Sequence, residues 1–266
     1  MGIPLAGRAA AGAAAVEANL AAAFRDFGRS PLVAVRDEPG LLATLADVPD
    51  RWFNGVVRTD LPPDGADAAI AATLARYRRR GLPLAWLVAP SSRPRDLGER
   101  LAAHGLVAGA ALPGMAADLA PLPAAAPPRG LRIERAADEA GLRRHLALAS
   151  PGRAAANRDA FVAIHTSLGL GHDQPWRHYV AWLDGAPVAT AAVFLHGEVA
   201  GLYGVGVAPA WRRRGLGTAV TLAALGAARA RGARAGVLQA SPLGAGLYRR
   251  LGFRDCCTLR LYTSPW

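Results

Sequence analysis

Two textures alternate along this chain. Long alanine-rich stretches with charged residues recurring on one side follow the helical period. Short runs of Val, Leu and aromatic residues, bounded by Gly, Pro or Asp, follow the strand pattern. Residues 9–27 predict a helix ending near Gly28. "PLVAVRDEPGLLATL" (31–45) predicts two short strands about a turn at Glu38, Pro39 and Gly40, and "RWFNGVV" (51–57) a further strand. Residues 65–80 predict a helix stopped at Gly81, "LPLAWLVAP" (82–90) a buried strand, and "PRDLGERLAAHG" (94–105) a short helix stopped by glycine.

The pattern then breaks. Pro121, Pro123, Pro127 and Pro128 punctuate "LAPLPAAAPPRG" (119–130), a run that cannot continue a helix or a central strand. It is expected to be a linker between a first half, 1–118, and a second, 131–266. The second half opens with a strand, "LRIERA" (131–136), and helical segments to about 167. Residues 177–209 predict three antiparallel strands with turns at Asp184-Gly185 and His196-Gly197. A helix (216–231), a strand (233–239), a helix (243–252) and a closing strand (253–262) complete it. The fold class expected is α/β, as an α+β mixed sheet.

The halves resemble each other. A gapless shift of 151 positions places Gly55-Val56 on Gly206-Val207, Leu74 on Leu225 and Arg80-Gly81 on Arg231-Gly232. It also places "LPLAWLV" on "ARAGVLQ". Alanine and arginine matches carry little weight in this composition. The shared order of strand, turn, helix, Gly stop and buried strand carries more, and predicts an internal duplication.

Composition changes this picture little. The chain has 266 residues, 52% of them hydrophobic, enough for one large or two modest domains. The formal charge of +11 would suggest an anionic partner, but all 31 basic residues are arginine and they are scattered over the whole length. The aromatic-interleaved basic stripe of a nucleic-acid groove is missing, so no nucleic-acid partner is expected. Cys256 and Cys257 are neighbours, which rules out a relaxed disulfide between them and fits a reducing compartment. No signal peptide or membrane helix is legible, so a cytoplasmic location without a membrane partner is expected. Six histidines, at 104, 145, 165, 172, 178 and 196, have no metal-ligand spacing, and no metal is expected. "HTSLGLGHDQPWRH" (165–178) reads equally as a surface loop or as a pocket wall.

One stretch carries chemistry. In "PAWRRRGLGTAV" (209–220) a strand leads through a turn into a helix. The first amides of a helix have no partner inside it and favour an anion. Gly215 and Gly217 let a phosphate approach the main chain, and Arg212, Arg213 and Arg214 add charge. By itself this is equally a plain basic helix start.

In its context, "VGVAPAWRRRGLGTAV" resembles the signature of the GNAT acetyltransferase superfamily. Val205, Val207 and Pro209 match the Val-x-Val-x-Pro part. Arg212, Gly215 and Gly217 match Arg/Gln-x-x-Gly-x-Gly/Ala, and Trp211 stands where the family has an aromatic. "SPLGAGLYRRLGF" (241–253) resembles a second signature, a helix carrying a tyrosine before Gly-Phe. The resemblance covers roughly 131–266 and implies a tandem GNAT-like acyl-CoA N-acyltransferase fold. It implies acetyl-CoA as co-substrate, a small-molecule or peptide amine as acceptor, and a monomer or homodimer. The pyrophosphate would lie on the main chain of Arg212, Arg213, Arg214, Gly215, Leu216, Gly217 and Thr218. The pantetheine arm would lie along Val205, Gly206 and Val207. Tyr248 would be the catalytic residue, donating a proton to the departing thiolate.

Some members place a glutamate where this chain has Gly201, which leaves the general base open; Glu198, His196 and Asp184 are candidates near strand turns. Under the 151-residue shift the arginine–glycine turn falls on Pro62, Pro63, Asp64, Gly65 and Ala66. There prolines remove donors and an acid replaces a base. Aligning Leu251–Phe253 with His104–Leu106 puts Leu101 opposite Tyr248. The first half is therefore expected to be a degenerate copy that binds no acyl-CoA. Cys256 and Cys257, on a strand, are expected to face opposite sides. The rival reading is a non-catalytic acyl-CoA-binding or interaction protein.

Overall fold

The computed structural model of the chain describes residues 9–120, 122–123 and 126–266. Residues 1–8 of the first half, and 121, 124 and 125 of the proline-rich segment, lie outside the described residues. The first half contains α1 (Ala9–Asp26), β1 (Ala34–Glu38), β2 (Leu41–Leu45), β3 (Gly55–Thr59), α2 (Ala66–Arg78), β4 (Ala85–Val88), α3 (Leu97–Ala103) and β5 (Val107–Asp118). The second contains β6 (Arg132–Arg135), α4 (Glu139–Ala149), α5 (Ala155–Leu168), β7 (Trp176–Leu183), β8 (Ala186–His196) and β9 (Val199–Val207). It continues with α6 (Leu216–Arg229), β10 (Ala235–Gln239), α7 (Ala245–Arg250) and β11 (Arg254–Thr263).

Two elements depart from the sequence pattern for clear reasons. The strand expected from residue 51 starts only at Gly55. The buried Asn54 side chain donates to Val48 O (2.6 Å) and Asp50 O (3.1 Å) and accepts from Ala46 N (2.9 Å), which ties 46–54 into a closed turn instead of a ladder. β5 has no strand-like texture, because its alanines, Gly109, Pro113 and Gly114 read as loop. It is nonetheless central, and its small residues let α1 pack closely on it: a Cβ on Gly114 would meet Val16 at 3.2 Å.

All strands form one sheet, in the order β1-β2-β3-β4-β11-β5-β10-β9-β8-β7-β6. The closing strands are exchanged between halves. β5 pairs antiparallel with β10 of the second half, and β11 pairs antiparallel with β4 of the first. The two also pair with each other, and the sheet runs through without a seam.

Each half contains one parallel pair. Gly55 pairs with Ala85 and Val56 with Trp86, in β3 and β4. Val199, Ala200 and Gly201 of β9 pair with Ala235, Gly236 and Val237 of β10. This register corrects the gapless shift. An offset of 151 holds along α2/α6 and β4/β10. Because Ala85 answers to Gly236, Gly55 answers to Ala200 and not to Gly206. The first half is thus six residues shorter between strand and helix, while Pro62–Ala66 still lead into α2 where Arg213–Gly217 lead into α6.

Helices cover both faces. α6 packs Leu216, Val220, Ala224, Leu225 and Ala228 over the second half's strands. α2 and α3 cover the first half's strands around a fully buried Trp86. On the opposite face α1 lies across both halves and buries Val16, Leu20, Ala23 and Phe24. There Phe27 stacks on Trp176, with centroids 5.6 Å apart and planes 8° from parallel. Such contacts between halves join one core. With β5 and β11 exchanged, neither half can unfold without opening the other's sheet. Urea unfolding followed by circular dichroism and by tryptophan fluorescence is expected to give one coincident transition. Two separated transitions would mean that the halves are independent.

Candidate active site

β9 and β8 pair throughout, with a register shift between Thr190 and Ala192 that leaves Gly204 and Val205 opposite Ala191. Gly204 takes φ +55, and this bulge turns β9 away from β10. Pairing with β10 stops at Gly201, so Val205, Gly206 and Val207 present a main-chain edge that no strand covers. Gly206 must be glycine because a Cβ would overlap Leu148 O at the end of α4.

After β9 the chain makes a 3₁₀ turn, Pro209–Trp211, and then two left-handed residues, Arg213 (φ +63) and Gly215 (φ +76). These conformations gather successive amides on one side. Among the described residues the first amide of α6 to reach a carbonyl behind it is Ala219, to Gly215 O at 3.0 Å; those of Arg213 to Thr218 have no backbone acceptor. They face outward at the positive end of a 14-residue helix. The buried Leu216 anchors the turn. Gly217 lets it close on the core, since a Cβ there would meet Leu247 at 3.1 Å. Gly215 is open on its outer side. Arg212 turns back to Val207 O (3.4 Å), and Arg214 lies over the Trp211 ring (4.9 Å). The cofactor residues expected from the sequence thus fall on one strand edge and one helix start.

The gap opens into a cavity of about 490 Å³. Gly204, Val205, Gln239, Ser241 and Tyr248 line it from the second half, and Trp52, Val56, Val57 and Leu87 from the first. Tyr248 is buried edge-on against Phe253 (5.9 Å), and no hydrogen bond ties its hydroxyl among the described residues. Burial pushes its phenol up to about 12, so it carries its proton at neutral pH. Arg153 and Asp50, from opposite halves, form an ion pair at the cavity wall.

Residues 154–253 match the model of the Acetyltransferase (GNAT) family. That segment belongs to the GNAT family. The fold of the whole chain is similar to a GCN5-related N-acetyltransferase from Kribbella flavida, at TM-score 0.74 and 21% identity over 94% of this chain and 96% of that one. It is similar to another from Sphaerobacter thermophilus, at TM-score 0.63 and 20% identity over 85% and 80%. A tandem GNAT protein from the clavulanic acid biosynthesis pathway gives TM-score 0.59 and 18% identity over 88% and 84%. Among curated protein sequences none matches. The tandem GNAT-like fold therefore extends over both halves.

The structure explains why the GNAT domain has glycine at 201. A side chain there would overlap Asn19 of α1 and the Tyr203 ring. Asn19 is buried, donates to Phe194 O and Val199 O, and accepts from the Tyr203 hydroxyl at 2.9 Å. A glutamate has no room. The three candidate bases lie outside the cavity lining. Glu198 pairs with Arg234 (2.9 Å) at the far end of β9, His196 is exposed beside it, and Asp184 sits in the β7–β8 turn.

Sequence reasoning missed a cluster of three buried histidines. His145 (α4), His165 (α5) and His178 (β7) have centroids 4.7 Å apart in the pairs 145–178 and 165–178. They line a second cavity of about 180 Å³ that shares Trp52, Arg153, Tyr203 and Gly204 with the first. The segment 165–178 is therefore a cavity wall at both ends, with Ser167 and the stretch around His172 exposed. Thr190 Oγ1 donates to Tyr179 O (2.6 Å), so it accepts from Nδ1–H of His145 (2.5 Å). That assigns the tautomer and leaves Nε2 with a lone pair next to Gly204, whose Cβ position lies 3.2 Å away.

In the first half the matching gap is closed. The segment after β4 folds back, with Arg93 N bonding Thr59 O (2.9 Å) and Leu61 N bonding Arg93 O (3.2 Å). Trp86 Nε1 donates to Thr59 Oγ1 (2.9 Å) across the parting strands. The strand edge that Val205–Val207 keep free is thereby occupied. Cys256 and Cys257 do not alternate as expected. A bulge between Asp255 and Cys257 lets both half-buried thiols pack on the core beneath α1.

Burial holds His145 at about 4 and His165 at about 3, against an ordinary 6.5, and lowers His178 also. Lowered folded values mean stability that is complete above 6.5 and lost as pH falls through the folded values, on the order of 3 kcal/mol for His145 alone. The melting temperature is expected to be level above pH 7 and to drop steeply from pH 6.5 to pH 4. In a His178→Gln variant the drop should be shallower. An unchanged slope would disprove the cluster's role.

Proposed function

We propose that the protein is an acetyl-CoA-dependent N-acetyltransferase that acetylates a primary amine by direct attack on the thioester. The observation that carries this reading is the succession of three features along the second half, two of which, Val205 and Tyr248, line the same cavity. They are the uncovered Val205–Val207 edge, the unpaired amides of Arg213–Thr218 and the Tyr248 hydroxyl.

Acetyl-CoA, when bound, supplies the activated acetyl group. The amides at the start of α6, with Arg212, Arg213 and Arg214 around them, hold the pyrophosphate. The free edge of β9 pairs with the amides of the pantetheine arm as an added strand would. Tyr248, a neutral phenol, gives its proton to the departing sulfur. The proton of the amine is released to water, and no side chain of the cavity lining is assigned as its base. The first half, 1–118, serves as a degenerate GNAT-like domain joined through 119–130 to the catalytic domain, 131–266. The protein works without metal or nucleic acid, as a monomer or homodimer in the cytoplasm.

Calorimetry is expected to show one acetyl-CoA per chain with micromolar affinity. Gly215→Glu, which puts a carboxylate among the amides, should weaken it at least about 100-fold, well beyond the strain that Gly215→Ala adds at the same positive φ. No binding to the wild type would end the proposal. Tyr248→Phe should lower kcat by about 10²-fold while acetyl-CoA affinity stays unchanged. Binding with no transfer to any amine would favour the rival, a non-catalytic acyl-CoA-binding protein.

A further inference from the structure

Given the acetyltransferase reading, we propose that the acceptor is a monoamine with an apolar body, an arylalkylamine or alkylamine, whose body lies in the part of the cavity built by the first half. The amine end belongs near Val205, Ser241 and Tyr248, where the reacting groups converge. From there the cavity extends to Leu20, Phe24, Trp52, Val57 and Leu87 of the first half, with Leu112, Leu259 and Leu261 of the exchanged strands also lining it. These walls reward removal of apolar surface from water.

The charged groups of the cavity are already engaged. Its one carboxylate, Asp50, is paired with Arg153, and Asp50 Oδ1 also accepts from Trp52 N (3.0 Å). Arg51 donates to Ser264 O (3.0 Å). The lining therefore carries two guanidinium groups against one carboxylate. A polyamine or an aminoglycoside, with several ammonium groups, would meet excess positive charge and no free anionic partner. A single amine on an apolar body loses only one charge's hydration, at the site where that charge is removed.

The first half's own geometry closes the pocket. Its strands β3 and β4 part as β9 and β10 do, but the Thr59–Arg93 and Leu61–Arg93 bonds block the outer end. Val57 and Leu87 thus line the cavity beside a gap that is closed at its outer end.

The test is a panel of acceptors with acetyl-CoA, read by thiol release: 2-phenylethylamine, tryptamine and octylamine against spermidine and kanamycin. The apolar monoamines are expected to exceed the polycations at least tenfold in kcat/KM. Val57→Trp, which fills the pocket, should raise KM for 2-phenylethylamine at least tenfold while acetyl-CoA affinity stays constant. Preference for spermidine or kanamycin, or an unchanged KM in Val57→Trp, would overturn the inference and leave the acetyltransferase reading intact. If acetyl-CoA does not bind, that reading fails separately. Calorimetric titration of 2-phenylethylamine alone still decides the pocket, because its binding should be present in the wild type and absent in Val57→Trp. Trp52→Ala, which enlarges the same wall, keeps the test open should Val57→Trp fold poorly: tryptamine should gain on 2-phenylethylamine, and an unchanged ratio would count against the pocket.

Discussion

Everything in this molecule depends on the exchange of β5 and β11. A three-layered α/β half needs a strand beside its parallel pair to cover the last backbone edge. Here each half takes that strand from the other. The consequence is geometric: the cavity beside the gap between β9 and β10 is lined in part by strands of the first half. α1 then locks the arrangement. Its alanines let it lie flat across both halves, and Asn19 satisfies carbonyls at both sides of the β8–β9 turn. The same side chain fills the space above Gly201, so one contact both ties the halves together and removes a glutamate from the catalytic vocabulary of the site.

The candidate site is built mostly from main chain. The bulge at Gly204 withholds the Val205–Val207 edge from β10, and the positive φ of Arg213 and Gly215 withholds six amides from α6. Unpaired backbone groups are costly unless something completes them. Side chains add less: the arginines are exposed, and two of them lean on their own turn, on Val207 O and on Trp211. This division explains why glycine matters so much here. Gly206 admits α4, Gly217 admits Leu247, and Gly215 leaves open the space before the amides, each a place where an atom must be missing.

That reliance on glycine and on order along the chain is what made much of the site legible in sequence. Val205, Val207, Arg212, Gly215, Gly217 and Tyr248 lie within one continuous strand–turn–helix–strand–helix run, where spacing alone fixes proximity. The alternating strands and Gly-stopped helices were legible for the same reason. What stayed hidden depends on distant partners. β5 looks like loop because its neighbours, not its residues, make it a strand. His145, His165 and His178 are on three elements and meet only through packing. Asn19 is one polar residue in an alanine helix, and nothing local says that it will reach Gly201. The gapless duplication misled at β3 because cheap glycine and valine matches hid a six-residue deletion that only the pairing of Gly55 with Ala85 reveals.

That deletion bears on how the halves divided their work. The helix start remains, with Pro62, Pro63 and Asp64 where the second half has Arg213, Arg214 and Gly215. The connection before it is shorter, and the strand edge at Thr59 is taken by Arg93 of its own half. A gap sealed in this way can no longer admit a cofactor arm. It is still lined by Val57 and Leu87, however, and it still faces the reacting end of the other gap. On the proposed reading, the closing of this gap to a cofactor arm and the apolar wall it offers to an acceptor are one structural feature seen from two sides.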